Sequence, residues 1–335
     1  MKNLPKNNLV SIYLIAVFLL ILSTLLGVLL GATGLTFSDM LGAIVRGDTD
    51  SPEARILVYV RLPRVLACLM CGAALAVSGA VIQGVLANRL ASPGIIGVNS
   101  GAGLAVTLCS AFGIIGGWQL SFFAFSGAFL TVMLVSAGAR RWGASRGTVI
   151  LMGVALNALL GALADTVTTL VPEVSVMSND FKIGDFSAVT YARVIPAGIL
   201  ILSSVLVLQT LSNELDVLTL GDENAKGLGL NADGIRVVFL LLSALLSGAA
   251  VSVCGLLSFV GLLVPHAVRR IASSASRHLL PLCALIGAGF VTLCDTLSRV
   301  VFAPYELPVG IIMAFLGAPF FLFILVKGKG GHGRA

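Results

Sequence analysis

Nine long runs of apolar residues divide the chain, and they constrain its fold more than any other feature of the sequence. The first run covers residues 9–35 without a charged residue, and the others cover 65–86, 95–115, 118–139, 147–171, 194–211, 237–268, 279–298 and 308–326. A helix needs about 20 apolar residues to cross the hydrocarbon core of a bilayer. The sequence therefore predicts an all-α, polytopic membrane protein.

The composition excludes the main soluble classes. Apolar residues make up 58% of the 335 residues and charged residues only 11%, whereas a soluble globular protein carries roughly 25% charged residues. The net charge of +6 is spread between the apolar runs rather than gathered on one domain, which argues against binding to nucleic acid. We expect a single transmembrane domain over residues 1–335.

The run 237–268 is too long for one spanning helix and short for two. Cytoplasmic loops of membrane proteins are enriched in Lys and Arg. If this run is a hairpin with a short second arm, the chain crosses ten times with both termini cytoplasmic, and 14 of the 21 basic residues lie inside. A single span here would leave only 9 inside and 12 outside. The charge distribution therefore favours ten spans.

Two similar segments suggest an internal repeat. Residues 72–79, Gly-Ala-Ala-Leu-Ala-Val-Ser-Gly, resemble residues 248–255, Gly-Ala-Ala-Val-Ser-Val-Cys-Gly. They lie in spans two and seven, so the two copies run in opposite directions. This pattern predicts an inverted repeat of spans 2–5 and 7–10, and chance similarity in a sequence rich in Gly, Ala and Leu is the alternative.

Three polar segments separate the runs. Residues 36–64 form a long outside loop, and 172–193 form a second outside segment with room for a short surface helix. Residues 213–236 form the largest inside loop, in which glycines separate two short helical pieces. This compact, charged element could fit into a cytosolic partner, and an ordinary solvated loop is the alternative.

The sequence offers no enzyme site. It has no GxxxxGK[ST] motif for binding nucleotide phosphates, so ATP and its Mg²⁺ would be bound by a partner ATPase. The six cysteines lie inside apolar runs and read as small packing residues, because the pair Cys68 and Cys71 has no second pair nearby to complete a metal site. We expect no catalytic residues, cofactor or metal in this chain.

Charged residues near the outer ends of the spans suggest two roles. Asp295 and Arg299 are four residues apart on one span and can form an ion pair on one helix face. Arg61, Arg64 and Arg299 are predicted to project into water at the outer face, where they would attract acidic groups of a docking protein. The alternative for these arginines is snorkelling to lipid headgroups.

Several of these motifs, taken together, resemble the FecCD-type permeases of ATP-binding-cassette (ABC) importers, which carry ferric siderophores, haem and cobalamin. The resemblance covers nearly the whole chain. It is carried most strongly by the segments 61–64 (Arg-Leu-Pro-Arg), 72–83, 88–103, 220–230, 259–266, 306–310 (Glu-Leu-Pro-Val-Gly) and 317–319 (Gly-Ala-Pro).

The resemblance implies a complete importer in the bacterial cytoplasmic (inner) membrane. This chain would be the permease subunit, paired with itself or with a paralogous permease in the lipid bilayer, and served by a cytosolic ATPase dimer and an extracytoplasmic binding protein. It implies that Arg61, Arg64 and Arg299 receive the binding protein and that spans five and ten line the path. The implied ATPase-coupling residues are Gly221, Asp222, Glu223, Ala225, Leu228 and Gly229, and the implied inner gate comprises Asn88, Leu90, Ser145, Arg146, Gly147 and Thr148.

The chain departs from the family pattern at Arg89, where the family usually has proline, at Ser258, where it usually has glycine, and over residues 181–186. The resemblance implies import of a ferric siderophore or similar metal chelate, with cobalamin or haem as alternatives. Two hypotheses from other functional classes remain open, namely that the chain is an ion-coupled secondary transporter or a membrane scaffold without transport activity.

Overall fold

The computed structural model describes residues 6–31, 42, 51–114, 116–141 and 146–329. Their regular structure is helical, and we number thirteen helices in chain order. The helices are α1 Lys6–Leu29, α2 Pro52–Val85, α3 Val98–Ala111, α4 Gly117–Arg141, α5 Arg146–Leu170, α6 Ser175–Ile183, α7 Tyr191–Thr210, α8 Ser212–Thr219, α9 Asp222–Gly227, α10 Ala232–Cys254, α11 Val260–Ile271, α12 Ser276–Val300 and α13 Val309–Lys329.

Seven helices of the described residues are long and apolar enough to cross a membrane, namely α1, α2, α4, α5, α7, α10 and α12. Helix α3 and residues 309–322 of α13 are shorter apolar helices. The long run at 237–268 is broken as predicted, because α10 ends at Cys254 and α11 begins at Val260. Gly255 and Phe259 have positive φ angles of 70° and 68° at this break. Helix α1 ends at Leu29, before the predicted position 35.

Helix α2 contains a π-helical turn at Leu57–Arg61, which ends two residues before Pro63. In this turn the N–H of Leu62 bonds to the carbonyl of Leu57. The same pattern one residue later would need an N–H on Pro63, which proline lacks. The Val58 carbonyl accepts instead from the hydroxyl of Tyr191 on α7, at 2.8 Å. The proline thus explains both the irregular turn and a link between α2 and α7.

Helices α2 and α10 form the buried centre of the bundle. They pack on each other, α2 also packs on α11 and α12, and α10 also packs on α3 and α4. Small residues allow the backbones to approach closely: a Cβ on Gly72 of α2 would collide with the backbone of Gly287 on α12, and one on Gly79 with Gly261 on α11. Such contacts are the usual basis of helix packing in membranes.

The shorter predicted elements are also present. Helix α6 lies in the second polar segment, and α8 and α9 are the two helical pieces predicted within 213–236, separated at Gly221 with φ 108°. All six cysteines are buried and free, as the packing interpretation predicted. Ser145, residues 36–41 and 43–50 of the predicted loop 36–64, and the ends of both termini lie outside the described residues. Residues 52–64 of that predicted loop are helical instead and belong to α2.

Candidate functional site

A buried ion network lies where α2 and α12 meet. The carboxylate of Asp295 on α12 is fully buried and lies between two guanidinium groups: Nη2 of Arg64 is 3.0 Å from its Oδ1, and Nη2 of Arg299 is 3.0 Å from its Oδ2. Arg64 also pairs with Glu306, at 2.7 Å. The predicted Asp295–Arg299 pair is therefore confirmed. Arg64 of α2, 231 residues before Asp295 in the chain, is a second partner of the same carboxylate.

The expectation that Arg61, Arg64 and Arg299 project into water is wrong. Their exposed fractions are only 3%, 4% and 2%. The last carbonyls of a helix have no partner within the helix and carry partial negative charge, and this attracts two of the arginines to the end of α1. Arg61 donates to the carbonyls of Val28 and Leu29 at 2.8 and 2.7 Å. Arg299 donates to those of residues 27 and 30 at 3.0 and 2.9 Å.

The surface over this network is formed by the turn between α12 and α13. Phe302 and Tyr305 are 52% and 78% exposed, and the side chain of Glu306, which reaches Arg64, remains 35% exposed. Glu306 stood in a sequence motif, but its partner could not be identified from the sequence. It is the part of the network that a molecule approaching this end of the bundle would meet.

A second carboxylate lies between two arginines at the opposite ends of the helices. Oδ1 of Asp222, the first residue of α9, lies 2.7 Å from Nη2 of Arg146 on α5, and its Oδ2 lies 2.7 Å from Nη2 of Arg236 on α10. Arg146 also donates to the Leu218 carbonyl of α8, at 2.8 Å. The structure thus joins Asp222 and Arg146, which the sequence singled out separately, and adds Arg236, which it did not.

The arginines set the charge state of Asp222. Partial burial tends to raise the pKa of this carboxyl, but the hydrogen bonds and positive charges of Arg146 and Arg236 outweigh that effect and lower it below its usual range. Asp222 is therefore ionised at neutral pH, which keeps α9 attached to the first turns of α5 and α10.

Asp222, Arg146 and Arg236 together are called the Asp222 clamp below. The other predicted coupling residues surround it. Gly221 and Gly229 have φ angles of 108° and 82°, a conformation that favours glycine. Ala225 is buried against the bundle, Glu223 is exposed, and Leu228 is 67% exposed. Residues 221–229 therefore present exposed charged and apolar side chains, while Asp222 attaches them to α5 and α10.

The residues predicted for the inner gate lie in two places. Asn88 caps a turn after α2, where its Oδ1 accepts from the Leu90 N–H at 2.9 Å and Leu90 is half exposed. Arg146, Gly147 and Thr148 begin α5. Arg146 contacts residues 213–236, called the coupling segment below. Its grouping with Asn88 as a gate stays a prediction.

A cavity of about 460 Å³ lies between α3 and α5. Asn157 of α5 accepts from the Ser100 hydroxyl at 2.5 Å and donates to the carbonyls of Gly94 and Ile95. The pair Asp165 and Lys182, 3.5 Å apart, also lines this cavity. Within the described ranges, no group of three or more His, Cys, Asp or Glu side chains is placed to hold a metal ion.

Comparisons with known proteins agree with this architecture. The hemin transport system permease HmuU of Yersinia pestis is 35% identical over 92% of this chain and 94% of its own length. The Fe(3+) dicitrate permease FecC of Escherichia coli is 36% identical over 88% of this chain and 89% of its own. A solved metal-chelate type ABC transporter in an inward-facing conformation has a TM-score of 0.85 and 29% identity, over 95% of this chain and 99% of its own.

The model of the FecCD transport family matches residues 19–327, which is most of the chain. The relatives are transport permeases rather than enzymes, and the seven long apolar helices agree with a multi-pass protein of the bacterial cytoplasmic (inner) membrane. The chain belongs to the FecCD transport family.

Proposed function

We propose that this chain is the permease subunit of an ABC importer and that it translocates a ferric siderophore or a similar metal chelate. An extracytoplasmic binding protein delivers the chelate, and separate ATPase subunits drive transport, since this sequence has no GxxxxGK[ST] motif. The observation that carries the proposal is the likeness, over nearly the whole chain, to a metal-chelate type ABC transporter and to permeases for haem and ferric citrate.

We also propose ten spans with both termini in the cytoplasm. Helices α3, α11 and α13, added to those seven, make ten. Helix lengths support the inverted repeat, because α2 to α5 and α10 to α13 both run long, short, long, long. Packing supports it too: the first helix of each set packs on the second and third helices of the other set.

In this topology the Asp222 clamp lies on the cytoplasmic side, and we assign it to energy coupling. Arg146 at the start of α5 and Arg236 near the start of α10 both form ion pairs with Asp222. An ATPase that binds α8 and α9 and displaces them would therefore move these two helix ends together. Helix α5 and the cavity beside it would line the substrate path together with α13. That cavity has mostly uncharged walls, which suits a bulky chelate that must pass without binding tightly.

Of the three outer arginines, only Arg64 is placed to contact a binding protein. Arg61 and Arg299 are occupied by the carbonyls at the end of α1, so they organise the outer end of the bundle rather than contact a partner directly. Arg64 is reachable through Glu306, because that carboxylate is partly exposed. An acidic residue of the binding protein would replace Glu306 on Arg64.

The proposal is tested by reconstituting the chain in liposomes with its partner ATPase and binding protein. We expect uptake of a ⁵⁵Fe chelate only with ATP, both partners and a catalytically intact ATPase. Uptake by the chain alone under a proton or sodium gradient would identify a secondary transporter and overturn the proposal. A binding protein that purifies with cobalamin or haem would keep the machinery and change the cargo.

A further inference from the structure

A polar cavity of about 260 Å³ lies beside the coupling segment, apart from the clamp and from the proposed path. It is enclosed by the end of α2, the following turn, α8, the end of α11 and the start of α12. Its polar lining consists of Gln83, Arg89, Thr219, Arg269, Ser274 and Ser276. This volume is far above the roughly 15 Å³ that one water molecule requires.

The charges of this cavity are unbalanced. In the part of the chain that the structure describes, neither Arg89 nor Arg269 has a carboxylate within ion-pair distance. Asp216 of α8 lies beside the lining, and its carboxylate already accepts from the N–H and hydroxyl of Ser276, at 2.9 and 2.6 Å. Arg269 is half-buried and Arg89 is exposed beside the cavity, so the cavity presents two positive charges that an anion can join.

Arg269 is also held in place from within the protein. The carbonyl oxygen of the Gln83 side chain accepts from Nη1 of Arg269, and the Ala80 carbonyl accepts from Nη2 at 3.3 Å. The amide of Gln83 is fixed in turn, since it donates to the Gly261 carbonyl at 3.0 Å. A guanidinium has five N–H donors, so these two bonds leave three for a ligand. The hydroxyl of Ser274 can add a further donor, whereas that of Thr219 already donates to the Asp216 carbonyl at 2.7 Å.

We propose that this cavity is a binding site for a phosphate-type oxyanion, held by Arg89 and Arg269. Arginine recognises phosphate by charge and by paired N–H donors. The anion can be the headgroup of an acidic phospholipid or a free phosphate, because the lining recognises the same oxygens in both. Basic pockets between helices at the cytoplasmic surface are suited to lipid headgroups.

The experiment uses the full-length chain purified in detergent and, separately, in nanodiscs. In detergent, inorganic phosphate is titrated against chloride at equal ionic strength, and the shift in melting temperature is measured. In nanodiscs, retained phosphatidylglycerol is counted against phosphatidylcholine by native mass spectrometry. A shift with inorganic phosphate identifies a free oxyanion, and selective retention of phosphatidylglycerol alone identifies a headgroup.

Arg89→Gln and Arg269→Gln are compared with Arg270→Gln, the adjacent exposed arginine outside the cavity lining. Loss of one charge-assisted contact should weaken binding of the active probe roughly tenfold in the first two variants and leave it unchanged in the control. Arg89 is exposed, so its variant decides the matter if Arg269→Gln does not fold. Equal binding in all three variants, or binding of neither probe, would overturn the proposal. So would loss of ATPase assembly in Arg89→Gln without binding of either probe, which would assign the arginines to a partner's carboxylate.

Discussion

The two ends of this molecule carry the same arrangement, one aspartate between two arginines, in very different surroundings. Asp295 has a side-chain exposure of 0% and joins residues inside the packed centre, whereas Asp222 is 37% exposed and joins α9 to two helix ends. Burial strengthens the dependence of each charge on its partners, and exposure weakens it. We therefore expect the Asp295 cluster to be a fixed structural element and the Asp222 cluster, in its proposed coupling role, to transmit movement between helices.

The largest expected effect is that of Asp295→Asn. This change leaves Arg64 and Arg299 buried with no carboxylate between them, and removal of one partner from a buried ion pair costs about 3–5 kcal/mol. We expect a large fall in the melting temperature in detergent, or loss of folded protein. A melting temperature equal to that of the unmodified chain would remove the distinction between the two clusters.

Asp222→Asn should give the opposite profile. Partly exposed ion pairs contribute roughly 0–1 kcal/mol, so the melting temperature should change little. Transport should fall strongly while the ATPase subunits still hydrolyse ATP, because α9 loses its attachment to α5 and α10. The measurement is the ratio of chelate taken up to ATP hydrolysed in proteoliposomes.

Asp233→Asn is the matched control for that variant. Asp233 is 64% exposed in the same segment and pairs with Arg236 and Lys226, but it does not reach α5. Its variant should keep the ratio of uptake to hydrolysis. If Asp233→Asn and Asp222→Asn lower this ratio equally, the segment depends on total charge and the clamp has no special role.

A smaller effect is expected at the exposed edge of the outer cluster. Glu306→Gln removes only the partly exposed partner of Arg64, so it should cost at most about 1 kcal/mol. If a binding protein displaces Glu306 from Arg64, the variant should bind that protein more tightly, as measured by surface plasmon resonance at two salt concentrations. Weaker binding would mean that Glu306 itself is read by the partner.

Features set by neighbours along the chain could be predicted from the sequence. The break within 237–268, the helices α8 and α9, and the Asp295–Arg299 pair all depend on residues a few positions apart. Contacts between distant segments could not be predicted: Arg64 meets Asp295, and Asp222 meets both Arg146 and Arg236, only because the helices pack side by side.

The error about the outer arginines has an identifiable cause. Their position at the edge of an apolar run predicted exposure. Arg61 and Arg299 are instead bonded to backbone carbonyls at the end of α1, which cannot be recognised from side-chain types, and Arg64 is bonded to Asp295 on a distant helix. The similar segments at 72–79 and 248–255 were more informative, because they fall on α2 and α10, the two helices that occupy corresponding positions in the proposed repeat.

The smallest effect concerns pH. Because Arg146 and Arg236 lower the pKa of Asp222, the clamp contributes its stabilisation fully above the ordinary carboxyl pKa of about 3.9. That contribution decreases only as the pH falls below this value, through the lowered pKa of the folded state. Between pH 5 and pH 8 the ratio of uptake to ATP hydrolysis should therefore not vary through this group.

In Arg236→Gln, Asp222 keeps one arginine, and the pKa of Asp222 should rise. The loss of coupling on acidification should then begin at a higher pH than in the unmodified chain. Identical acid profiles for the two proteins would show that Arg236 does not share in the clamp, and the inner cluster would then be a single pair rather than the counterpart of the outer one.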